Sequence, residues 1–260
     1  MFKKIIGLTC CFFVVGLSGC ATKPTDPYEL QVYEQNNDPL EPLNRKVFGF
    51  NLFMDDYVLN PIAKGYRAAT PQFVRTGVSN FFTNIKQPVY FANSVFQGDM
   101  NAAGNIGKRF LANTLWGFFG LLDPASEMEI PVVKRDFGET LAVWGIENGG
   151  PYLMLPFWGS SNFRDASGMA VDAFLQPLDY LEKGNYWITA SRWSIDAVQK
   201  REKSIELVDN VKQSSMDLYA TMRSMAQQNR QKEINEVLGK ENSETSQMDY
   251  DFDFPDDEDY

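Results

Sequence analysis

Ser160 and Ser161 follow Gly159 in a turn-like setting where a serine hydroxyl could be presented as a nucleophile. No G-x-S-x-G elbow surrounds them, and the chain contains no histidine to take the hydroxyl proton. The same absence removes Cys-His nucleophiles, imidazole acid/base work and the commonest zinc and haem ligands. Carboxylates remain. Asp136, Glu139, Asp165 and Asp172 could pair as acid and base if folding brought two of them together, but caps and surface ion pairs are their ordinary roles. Asp249, Asp251 and Asp253 are spaced like the opening of a calcium loop yet lack its central glycine and closing glutamate. The reading is of a protein that is not an enzyme, with no catalytic residue, no metal site and no cofactor.

Cys10, Cys11 and Cys20 are the only thiols, all within the first twenty residues. Lys3 and Lys4 precede an apolar run from Ile5 to Leu17 that is too short to span a bilayer and suits a signal-peptide core. Leu17-Ser18-Gly19-Cys20 resembles the lipobox of bacterial lipoproteins, where the cysteine receives a diacylglyceryl group before the leader is cut in front of it. Residues 1–19 then read as signal peptide and Cys20 as the lipid-attachment residue. One acylated thiol leaves no internal disulfide to form. Ala21 and Thr22 follow, and the absence of aspartate there resembles the outer-membrane sorting signal of enteric-type bacteria.

The net charge of −10 is concentrated at one end: Glu241, Glu244, Asp249, Asp251, Asp253, Asp256, Asp257, Glu258 and Asp259 fall in residues 241–260, which contain no Lys or Arg. The rest is close to neutral, so no basic footprint for nucleic acid exists. Residues 241–260 read as a disordered acidic tail. Residues 20–43, rich in Pro, Asp, Asn and Gln, read as a lipidated tether, and residues 44–240 as one helical domain.

That domain opens with Asn44 as a candidate cap for a helix toward Pro61. Phe48, Phe50, Asn51 and Phe53 mark it as a candidate membrane-embedded helix, because apolar residues occupy nearly all its sides. A second aromatic segment, Gly77 to Phe96, contains Pro88, which is expected to break or kink it. The third, Phe110 to Leu122, is uncharged and bounded by Lys108-Arg109 and Asp123-Pro124. As a helix it reaches about 20 Å against about 30 Å of bilayer core. Gly117 and Gly120 therefore suggest a hairpin dipping into one leaflet with its flanking charges wet. Phe110, Leu111, Asn113, Thr114, Leu115, Trp116, Gly117, Phe118, Phe119 and Gly120 form the candidate channel or gate. A buried core helix with glycines for close packing is the alternative. Further on, Asp136–Trp144 reads as a short helix, Tyr152–Trp158 as an apolar stretch before a turn at Gly159-Ser160-Ser161, and Asn162 as the cap of a helix to Leu175. Thr189 to about Leu238 reads as long mixed-charge helices with a stripe through Ile195, Val198, Ile205, Val208 and Val211.

Several stretches together resemble the MlaA (VacJ) family of outer-membrane lipoproteins: Asp38-Pro-Leu-Glu-Pro-Leu-Asn-Arg45, Gly77-Val-Ser-Asn-Phe81 with Gln97-Gly-Asp99, Arg109-Phe-Leu-Ala-Asn-Thr114 with Gly120-Leu-Leu-Asp123, Phe137-Gly-Glu-Thr-Leu141, and Gly150-Pro-Tyr-Leu-Met-Leu-Pro-Phe-Trp-Gly159 through Arg164-Asp165. The similarity runs from about residue 38 to 182 and weakens beyond it. It implies a mainly all-α, disc-like bundle of amphipathic helices with short irregular loops, embedded in the inner leaflet of the outer membrane and facing the periplasm. The implied work is passive: phospholipid mislocalised to the outer leaflet enters an amphipathic channel and passes to a periplasmic carrier of the same pathway, with a trimeric porin as neighbour. The acidic tail and the segment from Leu181 to about Ile205 depart from the family pattern. Two other readings stand beside this one. One is a periplasm-facing structural or assembly lipoprotein tethered only by its acyl chains; the other is a lipid-modifying enzyme such as a phospholipase.

Overall fold

Glu41 and Pro42 start the first long helix of the body. The proline has no N–H to leave unpaired in a first turn, and the glutamate meets the positive end of the helix dipole. The computed structural model describes residues 23–178 and 185–240, so the leader, Cys20 and the acidic tail lie outside the described residues. Its first helix is α1 (Pro27–Asn36), followed by α2 (Glu41–Met54). Asn44 is thus a residue inside α2 and not its cap. Its side chain is buried, donating to Asp38 Oδ1 at 2.7 Å and to the Tyr152 carbonyl at 3.1 Å and accepting from the Met154 N–H at 3.0 Å. The stretch read as a tether up to residue 43 also differs: α1 is helical, Asp38 is 2 % exposed, and the Asn37 carbonyl accepts from the Tyr152 N–H at 2.8 Å.

A π-helical turn (Asp55–Leu59) joins α2 to α3 (Asn60–Ala69) with no break. The wide turn aims Asp55 at Arg201 (2.6 Å) and Lys212 (2.7 Å) while leaving Tyr57 and Val58 exposed. Next, α4 (Gln72–Gln97) runs for 26 residues straight through Pro88. The expected break is absent because α4 packs along α5 (Met100–Leu115), whose Ala102, Ala103, Ala112 and Gly107 admit close approach on both sides of the proline. That packing offsets the one backbone bond Pro88 removes.

Beyond Leu115 there is no hairpin. The chain closes into a tight turn in which the Gly120 N–H donates to the Asn113 carbonyl at 2.8 Å and the Leu122 N–H to the Gly117 carbonyl at 2.9 Å. A short turn, α6 (Pro124–Glu127), leads on to α7 (Phe137–Val143), which opens with a capping box: Asp136 accepts from the Glu139 N–H while the Glu139 side chain accepts from the Asp136 N–H. Strands β1 (Tyr152–Leu155) and β2 (Gly159–Asn162) pair antiparallel, Tyr152 opposite Asn162 and Leu155 opposite Gly159. The bend therefore lies at Pro156-Phe157-Trp158, and Gly159-Ser160-Ser161 is strand. Asn162 caps α8 (Phe163–Leu175) as its sequence indicates. The C-terminal half holds α9 (Tyr186–Lys203), α10 (Ile205–Ser214) and α11 (Leu218–Val237). The expected apolar stripe is divided by the junction at Ser204: Ile205 and Val211 are buried, whereas Ile195 is exposed.

The fold is mainly all-α with one small hairpin. Its buried apolar residues are dominated by alanine (Ala63, Ala102, Ala103, Ala112, Ala125, Ala142), with one compact cluster of Tyr152, Met154 and Tyr219 against Val47 and Phe48. Most of the large aromatic side chains are elsewhere.

Candidate functional site

Helix α4 has its polarity turned inward. Its buried residues are Ser79, Phe82, Asn84, Gln87, Val89, Asn93 and Ser94, while Phe73, Val74, Phe91, Val95 and Phe96 are exposed. A water-soluble helix places these classes the other way round. Along the inner side, Asn84 Oδ1, Gln87 Oε1, Ser94 Oγ and Gln97 Oε1 are buried without a hydrogen-bond partner among the described residues. Such groups are rare and costly in a closed core. They extend over about 20 Å of helix at 1.5 Å per residue.

At one end of this row lies the segment expected to be a channel or gate. Its side chains sort by direction. Leu111, Leu115, Trp116, Phe118 and Phe119 are exposed, Phe110 is half-buried, and Asn113, Gly117 and Gly120 are buried. Gly120 sits against Asn84, the first residue of the row, so that a Cβ there would lie 2.5 Å from Asn84 Cβ; Asn84 Nδ2 donates to Thr114 Oγ1 at 2.9 Å. Phe118, Phe119 and Gly120 have φ of 52°, 61° and 95°. For the two phenylalanines that left-handed backbone costs about 1–2 kcal/mol each. Asn113 braces the turn, donating to Asp123 Oδ1 at 2.8 Å and accepting from the Ala125 N–H at 3.0 Å. Arg109, expected to stay wet, is 3 % exposed and pairs with Asp123 at 2.6 Å. A buried guanidinium is tolerated because that carboxylate, Ser126 and the Ile130 carbonyl accept from it.

The candidate membrane helix divides similarly. Phe50 and Phe53 are exposed, with Phe50 edge-on to exposed Phe157 at 5.3 Å. Phe48 packs edge-on against Tyr219 at 5.5 Å, and Asn51 ties the hairpin down, donating to the Leu155 carbonyl and accepting from the Phe157 N–H, each at 2.9 Å. Outward aromatics thus lie on α2, α4, the turn after α5 and the hairpin bend.

At the far end of the row the interior becomes charged. Gln97 Nε2 donates to Thr140 Oγ1 at 3.0 Å, and Asn93 Nδ2 to Asp172 Oδ1 at 2.7 Å. Beyond them a cleft of about 1240 Å³ opens between α11 and the α7, α8 and β-hairpin side, lined by Asp136, Asp165, Asp172, Arg164 and Arg230 among others. The four carboxylates singled out by sequence do meet. Arg230 donates to Asp136 at 2.8 Å and to Asp165 at 2.9 Å, and lies 3.8 Å from Glu139. The Phe137 N–H holds Asp172 from the other side at 3.1 Å. Gly138 makes this possible, since a Cβ there would lie 2.5 Å from Asp165 and 2.6 Å from Arg230. Ser160 is also nearby, but bonded to the Tyr152 hydroxyl at 2.8 Å. Among the described residues no group of carboxylates is arranged to hold a metal ion.

Burial raises the carboxyl of Glu139 from 4.5 to about 8, reinforced by the neighbouring Asp136 charge and opposed by Arg230. Burial acts on Asp165 too, yet hydrogen bonds from Arg230 and Arg164 outweigh it and hold Asp165 below its ordinary value. The raised pKa means the folded chain binds a proton at Glu139 more tightly than the unfolded chain does. That contribution to stability is complete below pH 4.5 and is lost as pH rises through about 8. Glu139→Gln keeps an oxygen for the Asp136 N–H and cannot ionise. Thermal melts from pH 5 to 9 should show the variant matching the parent at pH 5 and exceeding it at pH 9; parallel curves would refute a buried protonated carboxyl.

Known proteins of the same build extend over most of the chain. The family model for the MlaA lipoprotein matches residues 36–233. The Escherichia coli K12 protein named intermembrane phospholipid transport system lipoprotein MlaA is 34 % identical over 212 residues, 80 % of each chain. Its Haemophilus influenzae namesake is 31 % identical over 233 residues, 88 % of this chain and 90 % of that one. A solved structure described by the words "structural basis for maintenance of bacterial outer membrane lipid asymmetry" superposes with a TM-score of 0.67 at 32 % identity, covering 76 % of this chain and 99 % of the other. With the family model, the relatives and the superposed structure in agreement over most of its length, the chain belongs to the MlaA lipoprotein family.

Proposed function

We propose that this chain is an outer-membrane lipoprotein of an intermembrane phospholipid transport system. It takes phospholipid mislocalised to the outer leaflet through an amphipathic channel and hands it to a periplasmic carrier, which maintains lipid asymmetry. The observation that carries the reading is α4: aromatic outside, polar and hydrogen-bond-deficient inside. A charged head group crossing hydrocarbon is costly unless a polar path lies beside it, and such a helix offers one. Among the described residues no helix is long and apolar enough to cross a membrane, which suits a body seated in the inner leaflet. Cys20 carries the acyl anchor, and a trimeric porin is the neighbour against which the exposed aromatics pack.

The turn Trp116–Leu122 is the gate. It joins exposed aromatics, a left-handed backbone and contact with the first residue of the polar row. A host strain lacking the chain should accumulate phospholipid in its outer leaflet, and the intact chain should reverse this. Gly120→Pro, whose ring forbids the φ of 95° seen there, should fail to reverse it when compared with the parent at matched membrane levels. Full rescue by that variant would remove the gate from the scheme. A null strain with an unchanged outer leaflet would remove the transport role itself.

The reading of a body tethered only by its acyl chains has a specific weakness. Trp116, Phe118, Phe119, Phe157, Trp158 and Phe73 would all stand in water at 61–77 % exposure. Apolar surface on that scale marks a membrane or protein contact.

A further inference from the structure

The four partnerless groups in the row from Asn84 to Gln97 are oxygens: the amide oxygens of Asn84, Gln87 and Gln97 and the hydroxyl of Ser94. For Gln97 the amide orientation is fixed by its neighbours, because its nitrogen donates to the Asp136 carbonyl, which can only accept. Asn93, beside them, spends its donors on the Val89 and Arg135 carbonyls and Asp172. Along this row the unmet amide groups are acceptors.

Charge points the same way. Lys86, the cation of α4 nearest the row, is neutralised by Asp196 at 3.0 Å. The cleft is lined by Lys134, Arg164 and Arg230 against Asp136, Glu147, Asp165, Asp172 and Glu233, and both guanidiniums are already engaged: Arg164 by Asp165 and the Glu147 carbonyl, Arg230 by Asp136, Asp165 and Glu233. A species moving along this row meets acceptors first and then an excess of carboxylate.

Resting on the transport reading above, we infer that the α4 row is a head-group track selective for phospholipids bearing a primary ammonium, in which Gln87, Ser94 and Gln97 accept from the ammonium N–H groups on the way to the acidic cleft. An ethanolamine-type head group supplies three N–H donors and a positive charge. A trimethylammonium head group has the charge without donors. A glycerol head group has donors, but its lipid carries a net negative charge into a carboxylate-rich cleft. Gln87 is 1 % and Ser94 0 % exposed, so the track is closed in this conformation and opens by displacement of the turn that covers Asn84.

The test uses the purified full-length chain in detergent with three short-chain phospholipids, bearing ethanolamine, choline or glycerol head groups, binding being read by native mass spectrometry. The ethanolamine lipid should bind at least about fivefold more tightly than either other lipid, the scale of one or two neutral hydrogen bonds. Ser94→Ala and Gln87→Leu, each with a melting temperature checked against the parent, should lose that preference while still binding lipid. Equal affinity for all three lipids in the intact chain overturns the head-group inference and leaves the transport reading standing. No binding of any lipid defeats both. Free ethanolamine displacing the lipid at equal concentration would assign the row to a soluble amine and overturn the lipid track. The intact-chain comparison needs no variant, so a poorly folding mutant does not blunt it.

Discussion

Arg230→Met is expected to destabilise the folded chain by about 3–5 kcal/mol, the cost of removing one partner from a buried ion pair. The side chain is 19 % exposed, and it bridges Asp136 on α7 and Asp165 on α8 while lying 3.8 Å from Glu139. Methionine fills much of the same volume, so the loss comes from the carboxylates left behind. Asp165 is 13 % exposed and keeps only Arg164, at 2.9 Å, whereas Glu139, protonated at neutral pH, leaves no bare charge. Asp136, at 40 % exposure, is partly screened by water and adds less. For a body of this size the penalty corresponds to a fall in melting temperature of roughly 6–20 °C. A double variant separates charge from packing: Arg230→Met with Asp165→Asn should recover a good part of the loss, because the amide needs no counter-charge. A single variant within about 1 kcal/mol of the parent would mean that the cluster is solvated and that α11 is held by its other contacts.

That cluster marks where a sequence reading stops. Asp136 as the start of a helix and Asn162 as a cap are local signals, visible because a cap reaches only three residues ahead. The lipobox and the family stretches are likewise contiguous. The meeting of Asp136, Asp165 and Arg230 depends on Arg230 reaching carboxylates 65 and 94 residues before it, and no period encodes it. α11 gave no apolar stripe because its buried positions, Tyr219, Arg223 and Ile234, mix an aromatic, a cation and an aliphatic. Their spacing is helical, but a search for apolar periodicity passes over it. Arg223 is buried against Asp38, which also accepts from Asn44 and the Tyr219 hydroxyl. The Asp38 and Asn44 pair therefore looked like linker and cap, when both belong to the joint that ties α2, β1 and α11 together. Pro88 failed as a break signal for a related reason: helix-long packing outweighs one missing hydrogen bond. The inward polarity of α4 was half visible. Its aromatics were plain in the sequence, but the importance of Asn84, Gln87 and Ser94 emerged only once their burial was known. In the gate segment, Gly117 and Gly120 read as the points of a hairpin, but they support a tight turn in which each is pressed against its neighbours, as the close-packing alternative expects. Cys20, the surest residue by sequence, lies outside the described residues.

Gly168→Ala tests the tightest approach between α7 and α8. A Cβ at this position on α8 would lie 2.4 Å from the Gly138 nitrogen and 2.9 Å from its Cα on α7. These are backbone atoms, so no rotamer change relieves the clash and the two helices must separate. The expected cost is about 3 kcal/mol, the upper end for one added methyl group in a packed core. The consequence reaches further than packing. Moving α7 off α8 draws Asp136 and Glu139 away from Asp165 and Arg230, and it pulls on Asn93 and Gln97 through Asp172 and Thr140. The far end of the polar row should therefore shift along with the charged cleft. A melting temperature lowered by roughly 6–12 °C, together with a weaker pH dependence between 5 and 9, would report both effects at once. Loss of stability with an unchanged pH profile would show that the helices separate without disturbing the buried carboxyl of Glu139. An unchanged melting temperature would mean that α7 and α8 are less closely packed in solution than their glycine contact requires.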